Sequence, residues 1–173
     1  MDQPILDLSS WSIESFEAHL ARLQRGQELE RCRVVAQSHA YRSVEPRGVR
    51  LRWATLSLVA NRRLHGDAPW EQARMQCQEF ALRTWVIDHL GPDADPRWNP
   101  EALARDTLAA LTLGLRQAES AAADWHNLPV EQIGALRRHK NLTAHIDRLL
   151  PNLDPGAIHE RLAAWASALR QLP

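Results

Sequence analysis

Eight histidines, twenty arginines against one lysine, and seven tryptophans are the side chains of this chain best able to do chemistry. Imidazoles hold metals when they share a helix face or meet carboxylates across a bundle. That requires Glu-x-x-His pairs, or two histidines four residues apart. Neither spacing occurs here. Glu14, Glu17 and His19 fail by register, because residues 17 and 19 project about 200° apart on a helix. His139 and His145 are the densest pair and are expected on different helices. The sequence therefore points to no metal and no cofactor.

Acid–base and nucleophilic catalysis fare no better. Asp88 and His89 are neighbours in sequence, and adjacent helical residues point about 100° apart, so they do not form a dyad. There is no Gly-x-Ser-x-Gly elbow and no glycine-rich phosphate loop. An enzyme would have to assemble a site from scattered groups such as His89, His126 or His139. The expectation is a non-enzymatic protein with no catalytic residue.

The arginines carry the one lead. Residues 41–53 read YRSVEPRGVRLRW and hold Arg42, Arg47, Arg50 and Arg52 beside a single acid, Glu45. Residues 31–63 as a whole hold eight arginines and that one carboxylate. The flanking stretches are acidic, and a second basic focus, RRHK, follows at 137–140. Planar guanidinium forks suit phosphates and carboxylates alike. Three roles fit: surface ion pairs within the fold, phosphate contacts to nucleic acid, or docking of an acidic protein. The candidate binding residues are Arg42, Arg47, Arg50, Arg52, Arg62, Arg63, Arg137, Arg138 and Lys140.

The elements that must position these residues are helices. Ser12 is a plausible N-cap with Glu14 in the first turn, and Ile13, Phe16, Leu20 and Leu23 then line one face. Further helices are expected over about 27–44, about 49–64, and up to Leu90, where Gly91-Pro92 stops the pattern. GPDADPRWNP, residues 91–100, reads as a linker with little to pack. Asn99-Pro100 opens what reads as one long helix to about Asp124, with Gly114 at a close helix crossing. Shorter helices are expected after Pro129 and over about 141–150. Asp154-Pro155 starts the last, with Ile158, Leu162, Trp165 and Leu169 on one stripe.

The predicted fold is all-α, a compact helical bundle of about seven to eight helices. It is either one unit or two packed subdomains, 1–90 and 100–173, around the 91–99 linker. At 173 residues the chain can bury a core without staples. The first ten residues lack the basic and apolar regions of a secretory leader. No apolar run nears the roughly 20 residues of a membrane span. Cys32 and Cys77 read as buried thiols of a reducing, cytoplasmic setting, and the arginine bias suits a GC-rich bacterial genome.

The expected function is that of a small subunit binding through its arginine-rich surface in a nucleoprotein complex. Small subunits of CRISPR-type surveillance complexes are similar in size, helicity and charge, though no motif is shared. The alternative is an adaptor, chaperone or immunity-type protein that docks an acidic partner, with tryptophans such as Trp11 or Trp98 as exposed anchors.

Overall fold

The computed structural model describes residues 8–24, 26–42 and 44–173. The expectation about a leader rests on residues 1–10, of which 1–7 lie outside the described residues. Among the described residues every regular element is helical, as the 3.6-residue periodicity predicts. The chain forms two units, Met1–Met75 and Gln76–Pro173. The division falls inside one helix, and the 91–99 segment belongs to the second unit.

The first unit is built on an antiparallel helical hairpin. A single 3-10 turn, Leu8–Ser10, precedes α1 (Ile13–Arg22). Ser12 caps α1, its Oγ accepting from the Ser15 amide at 3.3 Å. Gly26, with φ of 112°, turns the chain into α2 (Gln27–Tyr41). Pro46 precedes α3 (Arg47–Leu64) and keeps Glu45, the residue before it, out of helix. The hairpin register is fixed by two contacts. Ser57 Oγ donates to the Arg33 carbonyl at 3.0 Å, and Arg50 Nε donates to the Ala40 carbonyl at 2.8 Å. Seven residues forward on α2 match seven back on α3.

Phe16, Leu20, Leu29, Cys32, Ala36, Trp53, Leu56 and Leu58 form the buried interior of this unit. Trp53, which alternates with Val49 and Leu51 in sequence as a strand residue would, is helical and in the core. Its ring meets Phe16 edge-on, with centroids 5.0 Å apart. The start of α4 (Pro69–Leu90) completes the unit, where Asn61 Nδ2 donates to the Met75 carbonyl at 3.0 Å.

In the second unit the rest of α4 is followed by α5 (Pro100–Ala110), α6 (Leu115–Ala121), α7 (Val130–Lys140), α8 (Thr143–Leu149) and α9 (Ala157–Arg170). α9 contacts α5, α6, α7 and α8, so its stripe of Leu162, Trp165 and Leu169 lies at the centre of the core. The expected N-cap at Asn99 is present, with Oδ1 accepting from the Ala102 amide at 3.0 Å.

Two local expectations give way. The helix beginning at Pro100 ends at Ala110 instead of running to Asp124. Just past that end His139 Nε2 accepts from the Thr112 amide at 3.1 Å, so this amide donates outside the helical ladder. Gly114 then caps α6, its amide donating to Gln117 Oε1 at 3.0 Å, and marks no close helix crossing. The 91–99 segment is also firmly packed. Trp98 within it is 2% exposed, so it is no surface anchor. Buried Arg83 donates to the carbonyls of Arg97 (Nε, 2.9 Å) and Pro96 (Nη2, 3.0 Å) and to Asp106 (Nη1, 2.6 Å). A stretch of acids and prolines looks unpackable until a buried guanidinium supplies its donors.

Candidate docking surface

The four arginines of YRSVEPRGVRLRW are dispersed by the hairpin rather than gathered. Residues 42 and 47 bracket the α2–α3 corner, and both are exposed. Arg42 places Nη1 3.1 Å from His39 Nδ1. Arg50 turns inward to the Ala40 carbonyl. Arg52 faces α1 and holds both oxygens of Glu17 (2.8 and 2.6 Å) and one of Glu14 (2.9 Å). The guanidinium lowers the Glu14 pKa, second only to that carboxylate's own backbone hydrogen bond.

The remaining candidates divide similarly. Arg62 is exposed in the last turn of α3, while Arg63 donates to the Leu20 carbonyl at 2.8 Å and ties α1 to α3. Arg137 and Arg138 are exposed in the last turn of α7, in the second unit. Lys140 donates to the Leu172 carbonyl at 2.6 Å, anchoring the C-terminal segment. Arg50, Arg52, Arg63 and Lys140 thus hold elements together, each for the reach of its long side chain.

What the hairpin does present is the outer face of α2. Arg31, Val34, Ser38, Tyr41 and Arg42 are exposed along it. Arg31 and Arg42 are eleven residues apart, three turns and about 16 Å along the helix. No carboxylate lies among these five residues. Val34 is 45% exposed, and Val44, at the corner, is 89% exposed.

Tyr41 is held by a chain of side-chain hydrogen bonds along the flank of α2. Glu30 accepts from Arg33 Nε and Nη2, both at 2.7 Å. Arg33 Nη1 donates to Gln37 Oε1 at 3.0 Å, and Gln37 Nε2 donates to the Tyr41 hydroxyl at 2.6 Å. The Arg33 contacts lower the Glu30 pKa, keeping the carboxylate charged at the head of the chain. An ordered aromatic with its polar end already satisfied loses little entropy on contact, which favours it in interfaces.

One tryptophan is largely exposed. Trp70, in the first turn of α4, is 64% exposed. The turn before it is braced by Glu71 Oε2, which accepts from the Gly66 amide at 3.1 Å, and by Gln72 Nε2, which donates to the Gly66 carbonyl at 2.6 Å. Trp11 is half-buried against His19, ring edge to face at 5.0 Å.

The three histidines named for an assembled site sit in different surroundings. His89 stacks on Trp85 at 4.5 Å, with Nδ1 2.9 Å from the Trp85 carbonyl. His126 is exposed and His139 buried. Among the described residues, no group of three or more His, Cys, Asp or Glu side chains is placed to hold a metal. Cys32 and Cys77 are free thiols, and burial pushes the Cys32 pKa up to about 11, away from nucleophilic use. A shallow depression of about 290 Å³ lies in the second unit, lined by Glu101 and residues 153–159. Among the described residues, no helix is long and apolar enough to cross a membrane.

Comparison with protein-family models, with curated proteins and with solved structures returns no match to this chain.

Proposed function

We propose that this protein is a non-enzymatic helical binding module that docks an acidic, partly apolar surface of another protein through the outer face of α2 and the α2–α3 corner. The observation that carries this reading is the make-up of that face: Arg31 and Arg42 exposed at its ends, Val34 and Tyr41 exposed between them, and no carboxylate among them. Tyrosine and arginine dominate the energetics of protein interfaces, and exposed aliphatic groups supply the apolar centre.

A nucleic-acid path through the arginine-rich segment has less support. Phosphate binding scales with the number of cations delivered to the backbone. Arg50, Arg52 and Arg63 have partners inside the fold, and Glu14 and Glu17 flank Arg52 with negative charge. Val34 and Val44 offer nothing to a phosphate. Such a path would use the exposed guanidinium groups of the segment, Arg31, Arg42, Arg47 and Arg62.

The two readings separate by titration against labelled single- and double-stranded oligonucleotides at about 50 and 200 mM salt, since phosphate affinity falls about one log unit per log salt for each phosphate engaged. The docking reading expects no binding at the lower salt. It also expects one protein captured from the source cells by the wild type and lost with both Arg42→Glu/Arg47→Glu and Val44→Asp. Oligonucleotide binding that collapses with salt and with Arg42→Glu/Arg47→Glu, but tolerates Val44→Asp, would overturn it in favour of nucleic acid.

A further inference from the structure

The corner contains a titratable group placed to control the exposed arginine beside it. His39, in the last turn of α2, is 5% exposed, and its ring lies flat on Trp53 with centroids 4.2 Å apart and planes 13° from parallel. Its Nδ1 is 3.1 Å from Arg42 Nη1 and 3.9 Å from Glu45 Oε1. A guanidinium has only donors. Nδ1 must therefore present its lone pair to Arg42, and the neutral ring carries its proton on Nε2.

We infer that His39 is a proton-operated latch on Arg42. Neutral, it holds the guanidinium at the α2–α3 corner; protonated, it releases Arg42 and takes Glu45 instead. The step consumes one proton from solvent, which binds Nδ1. Nδ1–H then faces a donor that it can no longer serve, and the Glu45 carboxylate, 3.9 Å away, is an acceptor for it. The Arg42–imidazole hydrogen bond breaks, and an imidazolium–carboxylate contact forms.

The groups around the ring are few. From α2 comes Arg42 at its C-cap, and from the corner comes Glu45. From α3 come the Trp53 ring and Arg50, the latter committed to the Ala40 carbonyl. From the 3-10 turn comes the backbone of Ser9. Burial and then the Arg42 charge depress the His39 pKa, while Glu45 and the Ser9 backbone pull the other way. The transition is thus placed on the acid side of an ordinary histidine. The latch bears on the docking reading because Arg42 closes one end of the proposed surface, but its own test needs no partner.

That test is an NMR titration of the isotope-labelled full chain from about pH 7.5 to 4.5, following the His39 ring and the Arg42 Nε–Hε signal across the range where a depressed histidine titrates. The expected result is a common midpoint below 6.5 for both signals. In His39→Gln, whose amide oxygen accepts at every pH, the Arg42 signal stays flat. In Glu45→Gln the common midpoint falls further. An Arg42 signal that holds still while His39 titrates would overturn the latch, as would a ring that stays neutral until the chain unfolds. Either failure leaves the docking reading standing, because docking is read by capture and the latch by NMR.

Discussion

Arg52 grips both carboxylate oxygens of Glu17, through Nε at 2.8 Å and Nη2 at 2.6 Å, across thirty-five residues of sequence. A side chain that looks aimed at an external anion spends its fork on α1. Exposed pairs of this kind contribute little and are screened by salt. Arg52→Ala is expected to leave capture of a partner unchanged. It should shift the urea unfolding midpoint slightly at low salt and not at all at about 1 M salt, where screening reaches within ~3 Å. Loss of partner capture in Arg52→Ala would return this residue to the binding surface.

Arg83 is the opposite case. It is 3% exposed and serves two carbonyls and the Asp106 carboxylate, with Glu79 Oε1 3.5 Å away. Removing one partner of a buried charge cluster leaves the others unpaired at a cost of about 3–5 kcal/mol. Arg83→Met is expected to destabilise by that order in urea, with hydrogen exchange of the 93–98 amides rising first. Arg83→Lys should rescue little, since an ammonium cannot span the same acceptors.

Trp98 supplies the apolar half of the same closure. Truncating a fully buried tryptophan costs about 3–5 kcal/mol. Trp98→Ala is expected to lie in that range, while Trp70→Ala, at a site 64% exposed, stays near the wild type. Chemical denaturation of the two variants side by side checks the contrast.

His139 ties stability to pH. Burial, then the charge of Arg138, lower its pKa from 6.5 to about 4. The folded state favours the neutral ring, so its contribution is complete above pH 6.5 and drains away as pH falls toward about 4. At about 1.4 kcal/mol per unit, the total is about 3 kcal/mol. His139→Gln keeps an acceptor for the Thr112 amide but does not titrate. Its urea stability should fall less than that of the wild type between pH 6.5 and 4. Parallel curves for the two proteins would show that the ring is not held neutral.

The sequence shows an element wherever the information is local. Ser12, Asn99-Pro100 and the Ile158–Leu169 stripe announce their helices through caps and periodicity alone. It stays silent where a partner arrives from far along the chain. In the break at 111–114 the Thr112 amide meets an imidazole twenty-seven residues later, and the packing of 91–99 depends on Arg83. Arginine adds its own ambiguity, because a six-atom side chain can reach an interior carbonyl or solvent from the same helical position. That is why Arg50 and Arg63 resemble Arg42 and Arg47 in sequence and differ in role. Exposure of Val34, Val44 and Trp70 left no trace either, since apolar type at helical spacing argues for burial. The spacing of Arg31, Val34, Ser38, Tyr41 and Arg42 was available, and it marks a face once α2 is known to show it to solvent.

The register of the α2–α3 hairpin bears on how the chain acquires its structure. Its two fixing contacts close segments of only ten and twenty-four residues. Short loops of this kind cost little chain entropy and close rapidly, and topologies rich in them cross their folding barrier early. The hairpin is therefore expected to be able to assemble while the ribosome is still making the second unit.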